Sequence, residues 1–517
     1  MKIKQLQLQN YGRFEDLTVD FAPTDERKGN VTIIVGNNGA GKSQILQALA
    51  TGLSWFVNLL LHENKTDKKT QIRMDDTSFT YDYEGDYISQ KLIKNGFDRA
   101  YVSLNLFNPI ISKDRNSLGI TIDSSRSDNL NQFIRGIKDT GLDELVKHYQ
   151  NLLKENDNAS LPIISLYTIN RNVEIESLHS SFNFVNKQIK GYTSCFNAGN
   201  DYSSFFHWFR DNEDLENEIN KTKYSQEHDE FLRIEIKIEQ LKEIQEHIND
   251  IDYFPNDEEK YKYSAKIARQ IEDEEEKYNS LLIRNAFLKD TLNEVQILPL
   301  KFVRRAIEEF TEFKNIRIQR QGTPTMIVEK DGEELDVNQL SQGEKSLLAL
   351  VGDIARRLAI LNPSLDDPLQ GEGVVMIDEV DLHLHPKWQH DLIDKLVRTF
   401  PNVQFILTTH SPLIVSDSPN ILVYSLENGN LHKTKNIYGE DANTLLNNIF
   451  DVPVRTPEVE NDFNNIRRAI SNQEFEIADN LINSIAKKVA SGNTELLKVK
   501  LLLAQAKLAQ KSATNLG

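Results

Sequence analysis

The octapeptide Gly36-Asn37-Asn38-Gly39-Ala40-Gly41-Lys42-Ser43 constrains this 517-residue chain more than any other segment. It fulfils the pattern G-x-x-x-x-G-K-[ST], and its flanks have the matching character. Residues 31–35 are rich in β-branched side chains, as a buried parallel strand should be. Residues 44–50 then carry apolar side chains at helical spacing. A strand passing directly into a helix through three glycines predicts an α/β layer built on a parallel sheet. The glycines at 36, 39 and 41 let successive backbone N–H groups turn toward one anion, and the helix N-terminus adds its positive end. Asn37, Asn38 and Ala40 complete this phosphate-binding set. Lys42 is placed to reach the β- and γ-phosphates of a nucleotide, and Ser43 to bind Mg²⁺ through its hydroxyl.

Four distant segments supply further parts of such a site. Residues 374–377 form a second apolar strand pattern that ends in Asp378 and Glu379. Phosphoryl transfer is mostly positioning and charge neutralisation. Asp378 is therefore assigned to the Mg²⁺ shell and Glu379 to the attacking water. Asp381-Leu382-His383-Leu384-His385-Pro386 follows at once. Residues 340–345 open a helical pattern that continues to 361, with Ser341 and the Gly343 amide at its N-terminus. Ser341 and Glu344 also read as a capping box, and a cap and a γ-phosphate contact use the same geometry. Residues 403–408 are another buried strand. His410, just beyond it, can address a γ-phosphate or the water, or simply cap the strand. His383 and His385 have an H-x-H spacing found in metal sites, but no cysteine or second histidine pair lies nearby, and a turn is the preferred reading.

In this order the five segments resemble the ABC-type ATPase heads of the SMC, RecF and OLD group. Residues 3–14, with Asn10, Arg13 and Phe14, are similar to the first strand and turn of that group, where the arginine sits near the nucleotide. The resemblance implies a P-loop α/β head with an inserted helical hairpin and a C-terminal helical tail. It implies that 36–43 is Walker A, Asp378 and Glu379 Walker B, and 341–345 the signature. Asp381 then lies in the D-loop and His410 is the switch histidine. ATP and Mg²⁺ are the implied cofactors. The implied assembly is a homodimer or higher oligomer, in which the signature of one copy closes on the ATP of another. The signature reads Ser-Gln-Gly-Glu-Lys rather than the Ser-Gly-Gly-Gln of transporters, which argues against a membrane transporter. Residues 161–171 are similar to a segment of defence ATPases, with Arg171 toward the nucleotide. The modest size, the short insertion, the segment 205–216 and the helical tail resemble the PtuA-type ATPases of Septu and retron anti-phage systems. In that family the partner is an HNH nuclease (PtuB-like), and retron versions add a reverse transcriptase and its RNA–DNA hybrid. The alternatives are a RecF- or SMC-like repair ATPase that binds DNA directly, and a scaffold that ATP locks with little turnover.

Composition narrows these readings. The chain is 39% apolar and 27% charged, with a net charge of −18. So acidic a chain binds DNA poorly unless positive charge gathers locally. Two sets could do so: Lys65, Lys68, Lys69 and Arg73, or Lys301, Arg304, Arg305, Lys314, Arg317 and Arg320. Solvated faces are the preferred reading of both. Cys195 is the sole cysteine, so neither a disulfide framework nor a cysteine zinc site is expected. No apolar run reaches bilayer length and no signal pattern opens the chain, so a cytoplasmic protein without membrane contact is expected.

Four parts are expected: an N-terminal ATPase lobe at 1–200, a helical insertion at 201–300, a C-terminal ATPase lobe at 301–450 and a helical tail at 451–517. In the insertion, Phe231, Ile234, Ile238, Leu241 and Ile248 keep three–four spacing, and Ile267, Ile271, Tyr278, Leu281, Leu288, Leu292 and Val295 resume it. With a turn near Pro255, this predicts a short antiparallel hairpin whose arms span roughly 25–30 residues, or ~40 Å. Trp208 and Phe209 are read as core packing rather than base stacking. Three helices are expected in the tail, marked by Phe463, Ile466 and Ile470; by Phe475, Ala478, Leu481, Ile482 and Ile485; and by Leu497, Leu501, Ala504 and Leu508. They could cap the head or dock a nuclease or a second protomer. The tail is too short and too helical for a Toprim nuclease domain, so the chain is not expected to be the nuclease itself.

Overall fold

The computed structural model describes residues 1–61, 86–111, 118–125, 135–169, 188–198, 202–247, 257–291, 298–322, 324–434, 437–450, 455–490 and 492–514. Its centre is a six-stranded sheet. The strands run in the order Asn430–Lys433, Ile421–Glu427, Val31–Gly36, Val403–Thr409, Gly373–Ile377, Ile163–Tyr167. The inner strands pair in parallel, and only the short hairpin strand at one edge is antiparallel. The strands at 31, 163, 373 and 403 are buried along their whole length. That burial explains why they read as unbroken apolar runs rather than alternating ones. The register pairs Ile34 with Thr408, Ile377 with Leu407, and Ile377 with Tyr167. The carboxyl ends of these strands are therefore level, and the loops after 36, 377 and 409 leave along one edge.

A five-stranded antiparallel sheet lies alongside, in the order Phe14–Asp20, Lys2–Tyr11, Arg99–Phe107, Gly119–Ser125, Arg135–Thr140. Its strand Arg99–Phe107 alternates buried and less buried residues, the mark of one covered face. Buried Gln404 ties the two sheets together. Its amide nitrogen donates to Ile3 O (2.8 Å) and Ala22 O (2.7 Å), and its oxygen accepts from Ile3 N (2.7 Å). All three bonds matter because an unpaired buried amide would be costly. The P-loop helix Lys42–Leu61 joins this core through Leu49, Leu53 and Phe56. It is the one helix among the described residues long and apolar enough to cross a membrane, and 72% of the relevant window is buried inside the protein.

The expected class, a P-loop α/β head with an inserted hairpin and a helical tail, is the one observed. The insertion is larger than expected. Its helices are Ser203–His247 and Asp257–Thr291, of 45 and 35 residues, so roughly 67 and 52 Å long at the helical rise. The first helix already begins at the aromatic cluster, because neither glycine nor proline interrupts residues 203–247. Phe205, Phe206 and Phe209 are buried in the head core and Trp208 packs against it. The arms meet through Leu241 against Ile267 and Ile271, and through Lys237–Glu274 (2.7 Å) and Lys242–Glu275 (2.6 Å). Ile248, Pro255, Leu292 and Val295 lie outside the described residues.

The tail forms three helices, Pro457–Ser471, Phe475–Ile485 and Thr494–Thr514, around an apolar cluster of their own. On the last helix the residues that mark the spacing are not the ones that pack. Leu496, Val499 and Leu503 fill the cluster, whereas Leu497, Leu501 and Leu508 are 53%, 60% and 66% exposed. This helix carries apolar residues on two faces, and spacing alone could not choose between them.

Candidate nucleotide site

The P-loop backbone has the shape its glycines allow. Gly39 and Gly41 sit at φ 75° and 111°, in the left-handed region that side chains resist. A Cβ on Gly41 would also stand 2.7 Å from the ring of Phe14. Asn37, Asn38 and Gly39 are exposed at the loop tip, Ala40 is buried, and Ser43 is exposed at the helix start. Lys42 is buried, and its ammonium donates to Gly36 O (2.8 Å) and Asn37 O (3.3 Å). It also lies 2.8 Å from His410 Nε2. Burial lowers the Lys42 pKa, opposed by the carboxylates of Glu379, Asp378 and Asp381. Burial and the neighbouring ammonium likewise lower that of His410. A neutral imidazole whose Nε2 accepts from Lys42 satisfies both groups. Arg13 donates its backbone N–H to Gln44 Oε1 (3.1 Å), and its Nη1 lies 3.8 Å from where a Cβ of Gly39 would stand. The arginine thus overlooks the loop.

The acidic side of the site is set by two threonines that end the strand Val403–Thr409. The Thr408 hydroxyl donates to buried Asp378 (2.5 Å) and accepts from Glu379 N (2.7 Å). Asp378 N in turn donates to Tyr167 O (2.8 Å). Glu379 adopts φ 47°, a turn that brings its carboxylate to 3.9 Å from His410 Nε2. The Thr409 hydroxyl donates to Asp381 Oδ1 (2.6 Å), which also accepts from His410 N (3.3 Å). Sequence reasoning missed Thr408, Thr409 and Gln44. The Thr-Thr pair directly before His410 was the available signal, since strand-end hydroxyls commonly bond adjacent turns.

Ser341 and Gly343 belong to another surface. Ser341 caps the helix Gln342–Leu361 in the expected box: its hydroxyl accepts from Glu344 N (3.3 Å), while its own N donates to Glu344 Oε2 (2.9 Å). Burial pushes the Glu344 pKa up, but hydrogen bonds from Lys330 and Ser341 outweigh it and hold the carboxyl below its usual range. A Cβ on Gly343 would meet His383 O at 2.3 Å, so only glycine lets residues 341–345 approach the backbone of residues 381–386 this closely. Ser341, Gly343, Lys330, His385 and Trp388 line a cleft of about 1020 Å³. His385 Nδ1 accepts from Lys387 N (3.2 Å) and caps the short helix Pro386–Gln389, and His383 is exposed at φ 64°.

A further network went unseen in the sequence. Asp353, on the signature helix, accepts from Tyr167 OH (2.8 Å), Arg356 (2.6 Å) and Arg357 (2.7 Å), all buried. It ties that helix to the strand whose terminal carbonyl receives Asp378 N. Such a network is compatible with burial because its charges are paired.

The donor set matches Mg²⁺–ATP. The loop presents backbone amides where a Cβ would clash, a buried ammonium stands at its mouth, and the Ser43 hydroxyl and Asp378 carboxylate are hard oxygen ligands. Among the described residues no group of three or more His, Cys, Asp or Glu is placed to hold a metal. Mg²⁺ needs none, since it takes one or two protein oxygens and completes its shell with phosphate and water.

The second basic set lies largely in solvent, as expected, and four of its arginines are also ion-paired. Arg304 meets Glu213 and Glu216 (2.8 Å each), Arg305 meets Asp367 (2.7 Å), and Arg317 meets Glu334 (2.9 Å). Arg320 meets Asp214 (2.6 Å) and Glu213 (3.0 Å). Lys301 and Lys314 are exposed. Lys65, Lys68, Lys69, Arg73 and Arg171 lie outside the described residues.

Known proteins place this geometry in a family. Residues 1–415 match the AAA ATPase domain. The Retron Ec83 probable ATPase of Escherichia coli is 33% identical over 475 residues, covering 89% of this chain and 78% of that protein. The Retron Vc95 probable ATPase of Vibrio cholerae serotype O1 biovar El Tor is 30% identical over 426 residues, covering 80% and 71%. The Septu protein PtuA of Bacillus mycoides (strain KBAB4) is 40% identical over a shorter stretch of 77 residues, 15% of this chain and 10% of that protein. The chain belongs to the AAA ATPase domain family and to that of the retron probable ATPases.

Proposed function

We propose that this ATPase binds Mg²⁺–ATP at the P-loop, closes head to head with a second copy around it, and thereby controls an associated HNH nuclease in anti-phage defence. One observation carries the reading: Lys42, Asp378, Glu379, Asp381 and His410 converge at the level ends of three adjacent parallel strands. The names of the retron and Septu relatives support the defence setting, and in a retron a reverse transcriptase with its RNA–DNA hybrid would join the complex. The buried Cys195 suits a reducing cytoplasm. In this reading the chain divides at 200, 300 and 450 into two ATPase lobes, the insertion between them and the tail, with the long hairpin acting as a coiled-coil arm.

Within the site, the amides of residues 36–43 and Lys42 bind the triphosphate, and Arg13 overlooks it. Ser43 and Asp378 hold Mg²⁺, which neutralises phosphate charge when bound. Glu379 accepts a hydrogen bond from the attacking water and aligns it. His410, neutral and tethered through Asp381, lies between that carboxylate and Lys42. Ser341 and Gly343 open on their own cleft and supply the second wall to a partner's nucleotide. Direct duplex binding through 301–320 has less support, because Arg304, Arg305, Arg317 and Arg320 already hold carboxylates.

Glu379→Gln tests the reading. Turnover should fall about 100-fold or more, while ATP with Mg²⁺ should trap a dimer visible by light scattering. An unchanged ATPase rate would remove Glu379 from this role, and a chain that stays monomeric with ATP would remove the head-to-head closure.

A further inference from the structure

Two surfaces of this chain complement one another yet are both open to solvent. The first is the outer face of the last helix, Thr494–Thr514. Leu497, Leu501, Ala504 and Leu508 follow a four–three–four spacing, and the three leucines are 53–66% exposed. Lys498 and Lys500 flank this stripe and are exposed; Lys507 flanks it beside Asp479. The second surface is a groove of about 820 Å³ along the hairpin, between Ser203–His247 and Asp257–Thr291. Its lining includes Leu232, Ile236 and Tyr278 together with Glu235, Glu239 and Glu243; Lys242, on the same lining, is held by Glu275 (2.6 Å). Leu232 and Ile236 are 48% and 46% exposed.

We infer that the last helix of one copy of this chain docks into the hairpin groove of a second copy. An amphipathic helix laid in a groove anchors itself through residues at i, i+4, i+7 and i+11, the spacing of this stripe. The stripe covers ~17 Å at the helical rise, and residues 232 to 243 of the groove cover about the same. Charge selects between pairings. Two copies of the tail helix packed on each other would bring lysine rims together, and two grooves would bring their glutamates together. Tail on groove matches lysine to glutamate and leaves neither apolar surface in water. A two-fold axis would repeat the contact, so that each copy both gives a tail and receives one. This contact needs no nucleotide. It would add to head closure around ATP without depending on it, and it would join copies through the arms and tails rather than through the catalytic faces.

Cross-linking of the full chain without nucleotide provides the test. Cys195, the sole native thiol, is buried and its pKa is pushed up to about 12, so it does not compete. Leu501→Cys and Ile236→Cys are made as separate variants, both at exposed positions. Mixed under mild oxidation, they should give a disulfide-linked dimer that neither variant gives alone. Leu501→Glu should weaken the nucleotide-free self-association by about tenfold or more in sedimentation. Lys500→Glu should weaken it less, and combining Lys500→Glu with Glu239→Lys should restore it. A dimer band from Leu501→Cys alone would establish tail-on-tail pairing and overturn the inference. So would a mixture with no dimer, or sedimentation unmoved by Leu501→Glu. Each variant should keep wild-type ATP binding, so failure here leaves the nucleotide site standing. Lys42→Ala should leave the cross-link intact.

Discussion

The P-loop edge and the signature edge of the head are built to different degrees of completion. At the first, one chain supplies nearly every partner: Lys42 meets His410, Thr408 bridges Asp378 and Glu379, and Thr409 holds Asp381. At the second, Ser341 finds its partner only within its own helix, and Gly343 is pressed against His383 O beside an open cleft. The contrast shows that a preorganised catalytic edge can sit beside a presenting edge within one fold. The first holds charges in place before chemistry. The second places exposed Ser341 at the lip of an open cleft.

The comparison can be broken at its strongest point by Lys42→Ala. If the P-loop edge binds nucleotide alone, ATP affinity by calorimetry should drop about 100-fold or more, and affinity retained within threefold would end the assignment. Thr408→Val comes next. It removes the hydroxyl that both carboxylate residues share, so turnover should fall about tenfold, with about 1–3 kcal/mol lost in denaturant unfolding. An unchanged rate would show that Thr408 positions nothing. Ser341→Ala sharpens the other side. Losing the cap should cost about 1 kcal/mol of stability. Turnover at dimer-forming concentration should fall several-fold, while ATP affinity of the single chain stays as it was. A fall in that affinity would place Ser341 in cis with the P-loop and erase the contrast.

The smallest expected effect is on pH. The folded pKa of His410 lies below its ordinary 6.5. As pH drops through that value, the unfolded chain takes up this proton first, so the folded form loses stability on the acid side and keeps it above. Protonation also removes the acceptor that faces Lys42. The acid limb of the ATPase profile should therefore lie below pH 6.5 and vanish in His410→Gln. A limb that persists in that variant would assign it elsewhere.

What was legible follows from locality. The strand–loop–helix at 31–50, the strand ending in Asp378 and Glu379, and the cap at Ser341 are each encoded within a dozen residues, and all three appear where expected. The hairpin arms are longer than the roughly 25–30 residues expected because the first helix runs unbroken from the aromatic cluster, Ser203 to His247. The last tail helix is legible as a helix, but its leucines occupy both sides and their spacing does not say which face packs. Tyr167 meets Asp353 across 186 residues and Arg357 reaches Gly191 across 166, and Gly343 meets His383 only in the folded chain. No local pattern announces such contacts.

The P-loop strand Val31–Gly36 lies between Val403–Thr409 and Ile421–Glu427. During synthesis it must wait, with its hydrogen-bonding edges unmatched, until nearly four hundred later residues have left the ribosome. A prematurely terminated product ending before residue 403 would carry the lysine loop but neither neighbouring strand. Such a product would also lack Thr408, Thr409 and His410, so its lysine would face none of the groups that meet it in the finished chain.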